Sequence, residues 1–316
     1  MRLMKEAKKL KAKIKQSLLK FNTLRRIIQF LSFIFFCAMV FNLVSQPLLL
    51  PILWTWGFQS NIVGDAFTAL QLMFYDVVFP WLALASFLIT GILVGKSLCG
   101  WVCPFGFIQD LIDFAKRKKI EISPRTHESM VYVKYAILGI VLFISVTFSA
   151  AKVFGVHRSY ESALGIFVKA PFTTLSPAET LFATLPNGIL NFKNAIAENP
   201  VFDVLSGIVS LPPLFWVQLF ILVGVLVFAA YVPRSWCKYF CPHGAIMAIL
   251  NRFSFLGLKR DLTKCAKAEC RRCVEVCPMR VRILDLPWEK FSDPECIYCL
   301  KCVDACPNKA IKLKYP

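Results

Sequence analysis

Histidine is scarce in this chain, three residues in 316, and no Cys-x-x-Cys-His sequence occurs, which excludes a covalently attached c-type haem. Aspartate and glutamate number 19 against 37 lysines and arginines, and no acid falls inside the four longest apolar stretches. A proton pump built on intramembrane carboxylates is thereby excluded. The formal charge of +18 comes with no nucleic-acid-binding motif, so a nucleic-acid partner is excluded as well. Methionine and histidine clusters, the mark of a copper carrier, are missing from residues 156–213, which hold one histidine and no methionine.

What is present is apolar: 57% of the residues are hydrophobic and 14% aromatic, with a mean hydropathy of +0.60. A membrane is the natural solvent for such a chain. The apolar blocks stop near residue 257, after which the composition turns polar and cysteine-rich. Basic residues alternate with the blocks: ten in 1–26, none in 47–70, seven in 96–134, four in 152–213 and sixteen in 234–316. This is the positive-inside pattern, and it explains the charge by topology.

Four stretches, Ile27–Ser45, Val77–Gly95, Tyr135–Ala151 and Leu214–Val232, are long enough to cross a bilayer, which takes ~17 to 25 residues. They place both termini in the cytosol of a multi-pass protein of the cytoplasmic (inner) membrane. Residues 1–26 read as a basic cytosolic surface helix lying on acidic lipid, and no small-residue cleavage site follows them. Asn61–Phe74 and Val201–Leu211 are too short to span and are expected along the outer face.

Cys99-Gly-Trp-Val-Cys103-Pro-Phe-Gly-Phe-Ile matches Cys237-Lys-Tyr-Phe-Cys241-Pro-His-Gly-Ala-Ile, with 99 to 237 and 103 to 241 both separated by 138 residues. Two spans precede each copy, so the chain reads as two parallel two-helix repeats with both Cys-x3-Cys-Pro segments on the cytosolic face.

Thirteen cysteines are present, eight of them in the last 52 residues. Disulfides are disfavoured in a cytosolic tail, where thiols stay reduced. Cys296-Ile-Tyr-Cys299-Leu-Lys-Cys302-Val-Asp-Ala-Cys306-Pro307 has the C-x2-C-x2-C-x3-C-P spacing of a bacterial two-cluster ferredoxin. Cys265-x4-Cys270-x2-Cys273-x3-Cys277-Pro278 repeats it with a first gap two residues longer. Crossing the fourth ligands assigns one 4Fe–4S cluster to Cys265, Cys270, Cys273 and Cys306, and another to Cys277, Cys296, Cys299 and Cys302. Lys264, Lys267, Arg271 and Arg272 surround the first run, where they favour a more negative reduced cluster, dock an acidic partner, or form a solvated face.

The proline after Cys103 and after Cys241 suits the first position of a helix, so each second cysteine sits at a helix start, where the dipole favours a thiolate. Cys99, Cys103, Cys237 and Cys241 are candidates for a third cluster, a copper or zinc site, or a redox dithiol. Cys37 reads as core packing inside the first span. His243 and His157 are candidates for a proton acceptor or a quinone-headgroup contact.

The two Cys-x3-Cys-Pro segments, Ser235-Trp-Cys237 and the paired ferredoxin runs resemble the NapH-type membrane polyferredoxin family over about residues 25–312. Its relatives include the nitrous-oxide reductase regulator and the cbb3 oxidase accessory iron–sulfur protein. The chain departs from the former in that neither outer segment is large enough for a flavin domain. The resemblance implies an electron-transfer component of a quinol dehydrogenase, passing electrons between the quinol pool and a partner redox protein, an oxidoreductase or cytochrome. A metal (copper) reductase or assembly factor for a respiratory metalloenzyme is the alternative.

The expected fold is an α-helical integral membrane protein with a small α+β two-cluster ferredoxin-like domain at the C-terminus. Its divisions are 1–26 (basic surface helix), 27–257 (four-span module) and 258–316 (ferredoxin-like), with membrane lipid around the middle one.

Overall fold

The computed structural model describes residues 21–40, 65–115, 120, 122–186, 188–189, 212–266 and 270–315. Most of the expected surface helix, Ile27–Ser45 beyond residue 40, and all of Val201–Leu211 lie outside the described residues. Mostly helical, the described chain contains two helices long and apolar enough to cross a membrane, Pro124–Val153 (30 residues) and Pro213–Tyr231 (19 residues). Each starts with proline at its first turn, where a missing N–H costs nothing. The expected Val77–Gly95 span is shorter in the structure: Val77 takes a left-handed φ of 59°, and the helix runs only over Trp81–Val94. Its 14 residues reach about 21 Å at 1.5 Å per residue, against ~30 Å of hydrocarbon.

The chain forms two compact units. The first draws on the described parts of Met1–Ile34, Leu88–Phe107 and Ile246–Pro316. The antiparallel pair β1 (Gly257–Arg260) and β2 (Ile311–Lys314) sets Leu258 opposite Leu313 and ties the two ends of the cysteine-rich segment together. Buried Arg260 donates to the carbonyls of Ile283 and Leu286 at 2.9 and 3.3 Å. The carboxylate of Asp304, in the short helix Lys301–Ala305, accepts the N–H groups of Phe21 and Asn22 at 3.2 and 2.8 Å and so caps the helix Phe21–Val40.

Gly95 ends the Trp81–Val94 helix at a left-handed φ of 57°, and a Cβ there would collide with Oδ1 of Asn251. Asn251 in turn accepts the N–H of Lys96 at 3.0 Å and donates to the carbonyls of Asp293 and Cys296 at 2.6 and 3.2 Å. One buried amide thus joins the end of a membrane helix to the cysteine loop.

The second unit comprises the described parts of Phe35–Phe87 and Ile108–Ala245. Here the helix Ala66–Tyr75 packs inward along part of its surface, with Ala66, Phe67, Thr68, Leu70 and Gln71 buried. Its polar groups explain this. Thr68 Oγ1 meets Thr173 Oγ1 at 3.0 Å, and Gln71 Oε1 accepts the Phe172 N–H at 3.0 Å. Gln218 donates to the Thr174 carbonyl at 2.7 Å. The Phe172–Thr174 stretch packs into this unit, with Thr173 buried, because its backbone finds partners there.

An Asn251→Ala variant leaves the Lys96 N–H and two carbonyls without these bonds, each worth about 1–3 kcal/mol when stranded in a buried site. The expected outcome is a lowered thermal midpoint in detergent, read by circular dichroism.

Candidate functional site

The last 52 residues curl around two cavities, both in the first unit. One is lined by Cys265, Cys270, Cys273 and Cys306 together with Lys264, Arg272 and Ile311. The other is lined by Cys277, Cys296, Cys299 and Cys302 with Leu258, Met279 and Ile283. Each wall takes three cysteines from one run and the fourth from the other. Left-handed φ angles at Tyr298 (47°) and Leu300 (57°), either side of Cys299, bend the backbone tightly enough to present successive thiols to one space.

The two runs also share a detail of backbone chemistry. The Val281 N–H donates to Cys277 Sγ at 3.4 Å and the Ala310 N–H to Cys306 Sγ at 3.2 Å, four residues on in both cases. Burial pushes the thiols of Cys273, Cys296 and Cys302 up from the ordinary range, and neighbouring cysteines add to the effect. A bound cation is what holds such crowded sulfurs as thiolates. Among the described residues no three His, Cys, Asp or Glu groups close on one point as a single metal ion requires. Four thiols spread around a cavity fit a polynuclear iron–sulfur cluster better than tetrahedral zinc with its ~2.3 Å bonds.

The two Cys-x3-Cys-Pro segments are built alike. Cys99 lies in the short helix Ser97–Trp101 and Cys237 in Ser235–Tyr239; Pro104 and Pro242 open the helices that follow. The N–H groups of Val102 and Cys103 both bond to the Leu98 carbonyl, at 2.9 and 3.1 Å; those of Phe240 and Cys241 both bond to Trp236, at 3.0 and 3.0 Å. A buried cation precedes each segment at the same offset. Lys96 pairs with Glu295 at 2.8 Å in the first unit, and Arg234 pairs with Asp110 at 2.6 Å in the second. The partners, distant in sequence, carried no signal readable before folding.

One of the differences between the copies bears on packing. Where the second has Lys238, the first has Gly100, and a Cβ there would collide with the Ile297 carbonyl oxygen. Trp101 Nε1–H donates to the neighbouring Tyr298 carbonyl at 2.8 Å, and Gln29 donates to the Gly100 carbonyl at 2.9 Å. Cys99 and Cys103 thus belong to the unit that carries the two cavities. Cys237 and Cys241 belong to the other unit, where Gln109 Nε2 donates to Cys237 Sγ at 3.2 Å.

His243 follows Cys241 and stands where the first copy has Phe105. Its Nδ1 is 3.8 Å from Cys241 Sγ, and its Nε2 is 2.6 Å from Asp65 Oδ2, though off the N–H axis. The rings of Phe67, Phe87 and Phe172 surround it at centroid distances of 5.2, 6.4 and 6.4 Å. Asp65 also caps its own helix, accepting the Thr68 N–H at 2.7 Å. Its pairing with histidine was not legible in the sequence, where it is an acid interrupting an apolar run. His157 opens the helix His157–Leu164, and its Nδ1 has no hydrogen-bond partner among the described residues.

Comparison with known proteins bears on both parts of the site. The 4Fe–4S dicluster domain family matches residues 264–311, and the 4Fe–4S binding domain family matches twice, at 76–122 and 214–262, starts that are 138 residues apart. An uncharacterised protein of Methanocaldococcus jannaschii is 25% identical over 230 residues, 71% of this chain and 74% of that one. YccM of Escherichia coli K12 is 25% identical over 72% of this chain and 53% of its own length. The ferredoxin-type protein NapH of Haemophilus influenzae is 24% identical over 70% of this chain and 63% of its own.

The chain is a homologue of NapH and YccM and carries 4Fe–4S binding domains. The match spans about half of YccM and under two thirds of NapH. No solved structure matches the chain.

Gly100→Ala forces the Ile297 backbone to move, a clash that costs about 1–3 kcal/mol in a packed interior. Trp101→Phe, which removes one hydrogen bond, is expected to cost about 1 kcal/mol. Denaturant titration in detergent reads both, and equal midpoints for Gly100→Ala and wild type would contradict the close approach.

Proposed function

We propose that this protein is a membrane electron-transfer subunit that passes electrons between the quinol pool and a partner oxidoreductase. Two 4Fe–4S clusters are held by Cys265, Cys270, Cys273 and Cys306 and by Cys277, Cys296, Cys299 and Cys302, and they supply one-electron chemistry. The observation that carries this reading is the pair of cysteine-lined cavities with exchanged fourth cysteines.

A multi-pass arrangement of two parallel repeats, with both termini cytosolic, is supported by three observations. These are the two membrane-length helices, the doubled 4Fe–4S binding-domain match and the shared backbone bonding of the Cys-x3-Cys-Pro segments. The remaining cysteines, Cys99, Cys103, Cys237 and Cys241, are candidates for a third cluster, a copper or other metal site, or a redox dithiol. His243, held by Asp65 in an aromatic enclosure, is the residue placed to accept a proton from quinol. His157 has no comparable surroundings.

Anaerobic reconstitution is expected to give about eight irons per chain, at four per cubane cluster, and more if the repeat cysteines hold a third. Cys273→Ser and Cys302→Ser are each expected to weaken one cluster's electron paramagnetic resonance signal and leave the other's shape intact. Quinol should reduce both clusters in liposomes. Rapid oxidation by Cu(II) together with no reduction by quinol would sink this reading in favour of a copper reductase.

A further inference from the structure

The two cavities are not equivalent. The one lined by Cys277, Cys296, Cys299 and Cys302 has walls of Leu258, Met279, Val281, Ile283 and Leu300, none more than 5% exposed. Its loop is pressed against Gly100 and bonded to Trp101. The cavity lined by Cys265, Cys270, Cys273 and Cys306 instead has the exposed residues Lys264, Arg272, Pro307 and Asn308 in its wall. Asn308 Nδ2 donates to the Lys264 carbonyl at 2.9 Å, which holds the two sides of this rim together. Arg271 and Lys309 lie next to it in sequence and are exposed as well. Among the described residues the acids nearby are Asp261, 3.7 Å from Lys264 Nζ, and the exposed Glu275, so the described cations outnumber the described acids on the rim.

We propose that this basic rim, formed by Lys264, Arg271, Arg272 and Lys309, is the docking surface for an acidic, soluble redox protein. The inference rests on the proposed cluster role of the eight cysteines and assigns their two sites different places: one against the first Cys-x3-Cys-Pro segment, the other toward the partner. Charge complementarity selects the partner's sign. Lys264 and Arg272 of the rim line the cysteine cavity itself, so a protein held by them docks beside its sulfurs. The second cavity has no charged residue in its wall.

β1 and β2 provide a control. Lys259 stands directly opposite Lys312 there, with Lys314 on the same exposed face and away from the cysteines lining the cavity. That face carries the same sign of charge without the sulfurs.

The test uses full-length protein in liposomes, with iron content and cluster resonance recorded for every sample, and an acidic flavodoxin as the probe. Binding is measured by titration at low and moderate salt. The Lys264→Glu, Arg271→Glu, Lys309→Glu variant is expected to weaken binding by about tenfold or more and to flatten its salt dependence. The milder Lys264→Gln, Lys309→Gln variant is expected to weaken it in the same direction while keeping wild-type iron. Lys312→Glu, Lys314→Glu is expected to bind within about threefold of wild type.

Wild-type affinity in both rim variants, an equal loss in the hairpin variant, or tighter binding of basic cytochrome c each overturns the proposal. Iron-free samples that still bind flavodoxin through the rim would remove the cluster role and leave the docking surface standing.

Discussion

In the first unit Gly100 lies so close to the Ile297 carbonyl that no Cβ fits between them, and much of the site follows from it. A side chain at position 100 would hold the Cys296–Cys302 loop away from the Ser97–Trp101 helix. Glycine lets two backbones touch, Trp101 then reaches the Tyr298 carbonyl, and Asn251 fastens the other side of the loop through Asp293 and Cys296. The loop's left-handed residues, Tyr298 and Leu300, are thereby supported from outside, which matters because such conformations need surrounding structure to persist.

Duplicated segments with the same backbone hydrogen bonds have diverged in what surrounds them. Each copy keeps a buried cation ahead of its first cysteine, paired once with Glu295 and once with Asp110. Buried pairs of this kind add little net stability but are costly to break, so they fix an arrangement more than they strengthen it. The divergence at Gly100 and Lys238 gives the cluster-bearing loop one seat. The divergence at Phe105 and His243 gives the other copy a polar group among aromatic rings.

Cysteine spacing alone was enough to divide eight residues into two sets, because ligand loops are local and their gaps are set by the geometry of the group they hold. The 138-residue offset was equally plain. What could not be read was anything carried by a partner far away in sequence. Asp65 looks like a flaw in an apolar run until His243 is beside it, and the inward packing of Ala66–Tyr75 depends on Thr173 and Phe172, about a hundred residues on. Hydrophobic pattern also overstated Val77–Gly95, because it does not register the backbone reversal at Val77.

The cap that Asp304 places on the Phe21–Val40 helix has a consequence for the order of events in the cell. The residues it joins are separated by 282 and 283 positions. At ~5–20 residues per second, a ribosome needs roughly a quarter of a minute to a minute to cover that distance. The helix Phe21–Val40 is therefore made with these N–H groups uncapped, and only a segment synthesised some 280 residues later can close them. Folding of the cysteine-rich segment and settling of the Phe21–Val40 helix are then coupled across that interval.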